Sequence, residues 1–464
     1  MVCAGRVERQ RLRLSQMAAL TELPLVFEDW IDLGWAAELT FRERLFTPSH
    51  TFWLFLSQVF SADGSCDEAV RKALAHVALA GKGSQLPSAS TSAYCQARGR
   101  LPGRVTAHIL EQLIEKIEQQ PEALWYGHRV KVVDGSTCSM PDTPANQNYF
   151  GQPAGQKAGC GFTVMRLTTM FSLSGGALIG RALGPFKTGE RTLWRELWDK
   201  LEPGDIMLAD RGFCGYADFG LLLGRGVDSV MRLHGRRSTG VREIQKLGKG
   251  DHLVEWIKCK PHPDWISKED WQQMPETLIV RHITFKVPVP GLRTQEVTVA
   301  TTLLESEKYP PKAFAELYRR RWQAELYLRD LKTTMGIDVL RCKTPEMIFK
   351  ELDMHLIAYN LIRALMLTAA ARKGEQPTDL SFKQSLSTIR QWTPAMVEAK
   401  TEGWHREMLE LLYHYLSESL LHKRPGRTEP RAVKRRPKNY QRLTQPRKKF
   451  KECMHRSQYK KPLT

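Results

Sequence analysis

Three acidic residues stand where carboxylates can do chemistry: Asp134, Asp210 and Glu325. Asp134 closes the apolar run from Val130 and is followed by Gly135-Ser136; Asp210 closes a second run, Asp205 to Ala209, and is followed by Arg211-Gly212-Phe213. Acids at the ends of strands are where the active sites of open α/β sheets gather. Glu325 shares a predicted helix with Tyr318, Arg321 and Lys332. At about 100° per residue these four directions fall within an arc of roughly 60°. One face then offers a phenol, a guanidinium, a carboxylate and an ammonium, while Phe314, Leu317, Leu328 and Leu331 lie elsewhere and supply packing. The plain alternative is a solvated helix with i,i+4 charge pairs. The two strand-end aspartates weigh against it.

Cleavage of a phosphodiester explains such a set. The reaction must activate a water or a 3′-hydroxyl, stabilise a crowded anionic phosphorus and accept a leaving oxygen. Two Mg²⁺ ions about 4 Å apart meet all three demands. Mg²⁺ prefers oxygen ligands and keeps several waters, so a few Asp and Glu side chains suffice. Arg321 suits bidentate phosphate contact, Lys332 a point-charge contact, and Tyr318 a hydrogen bond or a base stack.

Composition supports a polyanionic partner. The 464 residues carry a net charge of +19, and residues 422–464 hold 16 Lys and Arg against Glu429 and Glu452. This tail, with Lys434, Arg435 and Arg436, is expected to be disordered and to give salt-sensitive, sequence-independent DNA affinity. The rest of the chain is nearly balanced. The nine cysteines form no CxxC pair, which disfavours a zinc site or a disulfide framework and fits a reducing compartment. No run approaches the roughly 18 apolar residues of a membrane span. A cytoplasmic, nucleoid-associated protein is expected.

The elements that must position these residues follow from periodicity. Residues 1–124 read as a helical, DNA-binding unit. Strands are predicted over 130–134, 162–172, 177–183, 205–209 and 229–233, with a Gly175-Gly176 hairpin between the second and third. Helices are predicted from Thr188 to about Leu201 and from Tyr216 to Leu223. This is the order of a ribonuclease H-like α/β core, covering 125–233 and 310–375, with the first and fourth strands adjacent. Residues 234–309 read as a β-rich insertion, and 376–421 as a helical C-terminal region.

Tyr318, Arg321, Glu325 and Lys332, at intervals of three, four and seven, resemble the signature of the insertion-sequence-four family of bacterial DDE transposases. Asp210-Arg211-Gly212-Phe213 resembles that family's second-aspartate motif and Val132-Val133-Asp134-Gly135-Ser136 its first. The resemblance spans about residues 94–363. It implies cut-and-paste transposition: Asp134, Asp210 and Glu325 would bind two Mg²⁺, with Mn²⁺ able to substitute. A freed 3′-hydroxyl would be joined to target DNA, in some relatives after a hairpin step. It implies a homodimer on double-stranded DNA carrying the terminal inverted repeats. Tyr318, Arg321 and Lys332 would grip terminal phosphates and a flipped base, and Trp256, Trp265 and Trp271 are candidates for the insertion-domain tryptophan. Arg98, Arg100 and Arg211 are further DNA-contact candidates, each of which could equally be an ordinary basic residue in a turn or an ion pair. Two other readings stay open from sequence: a ribonuclease H-like nuclease that cuts without joining, and a non-catalytic DNA-binding regulator.

Overall fold

A computed structural model describes residues 20–41, 44–79, 87–153, 162–234, 240–287 and 295–421. The N-terminal tip and the basic tail with Lys434, Arg435 and Arg436 lie outside the described residues. After a single helical turn at Pro24–Phe27 and a 3₁₀ turn at Gly34–Glu38 come helices α1 (Pro48–Phe60), α2 (Cys66–Leu79), α3 (Ser92–Arg100) and α4 (Gly103–Glu118). Strand β1 (Val130–Met140), helix α5 (Pro144–Phe150), β2 (Thr163–Ser172) and β3 (Leu178–Pro185) follow. Then come α6 (Glu190–Arg195), β4 (Ile206–Ala209), α7 (Tyr216–Gly224) and β5 (Asp228–Arg232). The segment after β5 gives β6 (Val241–Gly248), β7 (Asp251–Ile257), α8 (Lys268–Gln273), β8 (Thr277–Val287) and β9 (Gln295–Thr301). The chain ends in α9 (Pro311–Arg320), α10 (Trp322–Arg329), α11 (Pro345–Lys373), α12 (Phe382–Ala395) and α13 (Glu402–Ser417).

The nine strands of the described residues form one sheet in the order β3-β2-β1-β4-β5-β9-β8-β7-β6. Strands β1, β2 and β3 pair antiparallel, whereas β4 is parallel to both β1 and β5. This is the expected ribonuclease H-like core, with the first and fourth strands side by side. The four strands of the insertion are no separate sheet. Strand β9 pairs antiparallel with β5, Val230 opposite Thr301 and Arg232 opposite Val299, so the insertion prolongs the core sheet.

Alternation along the central strands makes two cores. Val130, Val132, Ile206, Leu208 and Val230 face one side, where α4, α9, α10 and α11 pack. Val133, Met207, Ala209 and Met231 face the other, with Leu193 and Trp194 of α6, Phe219 of α7 and Trp271 of α8. Strand β4 is buried on both faces, as a parallel strand between helical layers must be. The hairpin glycine Gly176 takes φ +69°, and a Cβ there would stand 2.7 Å from the Tyr327 ring. Both facts require glycine.

The axis of the helical layer is α11. Thr344 caps it, Pro345 opens it, Arg372 and Lys373 occupy its last turn and Gly374 closes it in the left-handed conformation. It has the length and hydropathy of a membrane span, which the sequence reading did not anticipate, yet it runs through the protein core. A helix apolar on nearly every side is a core helix when other elements surround it. Its charged residues are paired: Asp353 with Arg181, Arg363 with Asp330, and Lys350 with Glu346.

Other boundaries differ from the periodicity. Strand β1 runs on to Met140 rather than ending at Asp134, and the predicted helix to Leu201 breaks after Arg195 into a 3₁₀ turn at Trp198–Lys200. Pro394 lies near the end of α12.

Arg281 is fully buried on β8, with Nε and Nη2 donating to the Asp251 carboxylate on β7 at 2.8 and 2.7 Å and Nη1 donating to the Tyr309 carbonyl at 2.8 Å. The pair thereby fixes the chain just before α9. Removing one partner strands a buried charge, so Asp251→Ala should lower the unfolding free energy by about 3–5 kcal/mol. In urea titrations the double variant Asp251→Leu/Arg281→Met should recover most of that loss.

Candidate active site

The first two acids come together through strand register. Strand β1 pairs with β4 from Val130 opposite Ile206 to Val132 opposite Leu208. Continued two residues further, the same register sets Asp134 opposite Asp210. Asp210 itself holds an extended backbone, φ −82° and ψ 173°, so the strand direction persists past the end of β4. Both side chains follow the parity of Val132 and Leu208 and face the layer of α9–α11.

Pairing along that edge of β1 then lapses and resumes. The Ser139 N–H donates to the Asp338 carbonyl and the Leu340 N–H donates to the Ser139 carbonyl, so residues 338–340 take over where β4 has stopped. Between lies a notch over residues 134–137. The Asp134 carbonyl points toward β2, where it accepts the Thr169 hydroxyl at 3.2 Å. The next amide, Gly135 N–H, therefore points into the notch, and it donates to Asp134 Oδ1 at 2.9 Å.

Helices α9 and α10 bring the remaining groups. Tyr318 is buried and donates its hydroxyl to Asp210 Oδ1 at 3.3 Å. Arg321, also buried, donates from Nη2 to Glu325 Oε1 at 3.0 Å. The two helices are not one regular rod. At Arg321 the hydrogen bonds tighten to i→i−3, and Asp330–Thr334 widens into a π turn. Lys332 lies within the π turn. Its Nζ pairs with Asp338 at 2.9 Å, beside the far end of the notch. Such turns occur often at functional sites. Asp330, within the turn, is anchored to the core helix by Arg363 at 2.9 Å, and the Arg363 guanidinium also packs over Tyr327, Tyr359 and Phe382.

Burial pushes the Asp134 carboxyl up to about 6; the Gly135 amide and Arg321 oppose the shift, and Glu325 and Glu190 add to it. Burial likewise raises the Tyr318 phenol to about 12, so it is a neutral donor at physiological pH. Donor chemistry at the notch fits a hard divalent cation, since the acids are all carboxylate oxygens. The ligand set is not preassembled: among the described residues no three His, Cys, Asp or Glu side chains stand close enough to hold one ion together. Glu325 is engaged with Arg321, and Asp210 with Tyr318.

The other predicted contacts divide. Arg211 is exposed at the start of a 3₁₀ turn whose Phe213 packs edge-on against Trp194, so the Asp-Arg-Gly-Phe stretch sends its acid to the notch, its cation to solvent and its ring to the core. Arg100 is exposed at the end of α3. Arg98 corrects its assignment as a DNA contact: it is 6% exposed, its guanidinium lies 3.9 Å over Phe55, and it donates to Gln58 and toward the sulfurs of Cys66 and Cys342. Its α3 backbone turns it into the domain, where aromatic and polar partners replace water. Of the three tryptophans, Trp256 and Trp271 are buried, while Trp265 keeps 38% of its surface with Arg195 stacked 3.3 Å over the ring. One acid escaped the sequence reading. Glu190 opens α6 and its carboxylate lies against Gly135. A Glu in a first helical turn is so common a way to meet the helix dipole that its residue type and position do not single it out.

An α/β/α sheet gathering acids from its first strand, the end of its fourth and a helix beyond an insertion is the architecture of the DDE class of DNA strand transferases. The chain belongs to the transposase DDE domain family, whose model matches residues 125–361, just over half of its length. It is a DNA transposase of the insertion-sequence-four type, an enzyme that cleaves DNA and transfers strands, and the family depends on divalent metal. The transposase InsG for insertion sequence element IS4 of Escherichia coli (strain K12) is 28% identical over 364 residues, 76% of this chain and 78% of the relative. Transposases for elements IS231F and IS231C of Bacillus thuringiensis are 21% and 26% identical, over 66% and 63% of this chain and 67% and 64% of theirs. A cryo-EM structure of a piggyBac transposase synaptic complex with hairpin DNA overlays 87% of this chain and 86% of that one at TM-score 0.40 and 12% identity, a likeness that carries no argument.

The raised Asp134 pKa has a sign. Folding binds this proton more tightly than the unfolded chain does. Its cost is therefore absent below the ordinary carboxylate value and grows as pH rises to about 6. Asp134→Asn should raise the melting temperature of the metal-free protein at pH 7.5, on the order of 2 °C or more, and the gain should vanish near pH 4. Calorimetry across that range reads both limbs.

Proposed function

We infer that Asp134, Asp210 and Glu325 are the catalytic carboxylates, and that they hold Mg²⁺ while the enzyme cuts double-stranded DNA at transposon ends and joins the freed ends to target DNA. The observation that carries this reading is the convergence of β1, the end of β4 and α9–α10 on one notch. When bound, the metal supplies Lewis-acid activation of the attacking oxygen and charge neutralisation at phosphorus. The chain's own groups do the rest. Arg321, once Glu325 leaves it for the cation, is a buried two-pronged donor for a phosphate. Tyr318 holds Asp210 in place through its hydroxyl and offers that proton to a phosphate oxygen in turn. Exposed Arg211 and Arg100, and Lys332 at the far end of the notch, add phosphate contacts. The basic residues Lys434, Arg435 and Arg436 would add affinity independent of sequence.

Two copies acting on paired terminal inverted repeats, a hairpin intermediate and a place in the bacterial cytoplasm on nucleoid DNA complete the reading. They rest on the family's chemistry.

Glu325→Gln keeps the size of the side chain and its contact with Arg321 while removing the anionic ligand. Cleavage of a labelled transposon end in Mg²⁺ should fall by more than about 10³-fold, and mobility shifts with the same DNA should be nearly unchanged. Retained cleavage would sink the assignment. With precleaved ends the wild type should join a target plasmid; cutting without joining would point to a nuclease.

A further inference from the structure

Glu190 reaches the notch from the face opposite Asp134. Side chains alternate along β1, so the missing side chain of Gly135 belongs to the face where α6 packs through Leu193 and Trp194. The space a Cβ at Gly135 would occupy is filled by the Glu190 side chain: its Cγ would lie 2.9 Å away, and its carboxylate would overlap the methyl outright. Glycine at this position lets the carboxylate lie against the backbone of β1, in a hollow shared with Arg166 and Thr168 of β2. There Glu190 acts electrostatically on both aspartates, for its charge raises Asp134 and that of Asp210 raises Glu190.

This placement is costly in isolation. Glu190 is half-buried beside two like charges and makes no hydrogen bond or ion pair among the described residues. Arg166, whose Nε donates to the Phe186 carbonyl at 2.8 Å, opposes the upward shift of Glu190 from a distance without forming an ion pair. A helix-dipole role does not account for the direction of the side chain. An acid serving its own helix would fold back onto the first-turn amides, whereas this one crosses to a neighbouring strand. A divalent cation in the notch offsets the repulsion that three carboxylates otherwise impose on one another.

The geometry points to Glu190 as a fourth carboxylate of the divalent-metal centre, sharing a cation with Asp134 or Asp210 across the free edge of β1. The inference rests on the reading of the notch as the metal-dependent active site. Gly135 then has a defined part as the gap through which the fourth ligand passes.

Mn²⁺ binding to the full-length, DNA-free protein tests this apart from turnover. Titrations followed by electron paramagnetic resonance should show Glu190→Gln weakening Mn²⁺ about tenfold or more. Gly135→Ala should do the same, because its methyl expels the carboxylate, while Glu190→Asp should keep part of the affinity. Circular dichroism and melting curves confirm that each variant is folded. If Asp134→Asn weakens Mn²⁺ and Glu190→Gln does not, the inference about Glu190 is overturned and the three-carboxylate site stands. If neither variant changes Mn²⁺ binding, both the inference and the site on which it rests are overturned.

Discussion

The β1–β4 ladder ends at Val132 and Leu208, two residues before the aspartates each strand carries. Had the pairing continued, the edge of β1 would be filled by backbone and Asp134 would sit in a closed sheet. Because β4 yields at Asp210 to a 3₁₀ turn, β1 keeps an open edge until residues 338–340 close it again at Ser139. The gap leaves Asp134 and the Gly135 amide without a strand partner on the β4 side. Desolvation of Asp134 and the crowding of like charges at its rim follow from this single interruption.

The cost of that crowding is contained by rigid surroundings. Alternating apolar residues lock β4 between two helical layers, so Asp210 cannot drift. The Asp330–Arg363 pair holds the π turn to the central helix, and the Arg281–Asp251 pair holds the approach to α9. Two buried ion pairs thus bracket the helices that carry Tyr318, Arg321 and Glu325. In the metal-free protein Arg321 and Tyr318 occupy Glu325 and Asp210. The half-buried Asp210 and the exposed Glu325 are thus each held by a side-chain partner.

The insertion gains a simpler physical meaning from the sheet. Its strand β9 completes hydrogen bonds on β5 that would otherwise be a bare edge, and the remaining strands widen one face of the enzyme. A long excursion of chain between the second and third acids therefore costs little in registration. It starts at β5, returns beside β5, and delivers α9 to the notch.

Local chemistry determined much of this from the sequence alone. Apolar runs ending in Asp134 and Asp210 marked the strands that carry them, and the spacing of Tyr318, Arg321 and Glu325 marked a helical face. Strand order followed from the succession of elements, since right-handed crossovers leave few alternatives for a parallel pair. Tertiary structure decided what depends on partners distant in the chain. Arg98 looked like a surface cation until Phe55 and Gln58 surrounded it. The π turn at Asp330–Thr334, invisible to an ideal period, and the Lys332–Asp338 pair within reach of it appeared only in the fold. The length and hydropathy of α11 would suit a membrane, and only the elements packed around it made it a core. Glu190 and Gly135 lie far apart in sequence, and neither residue type announces a role. Their meaning appears only where one strand stops short and leaves space that another element can enter.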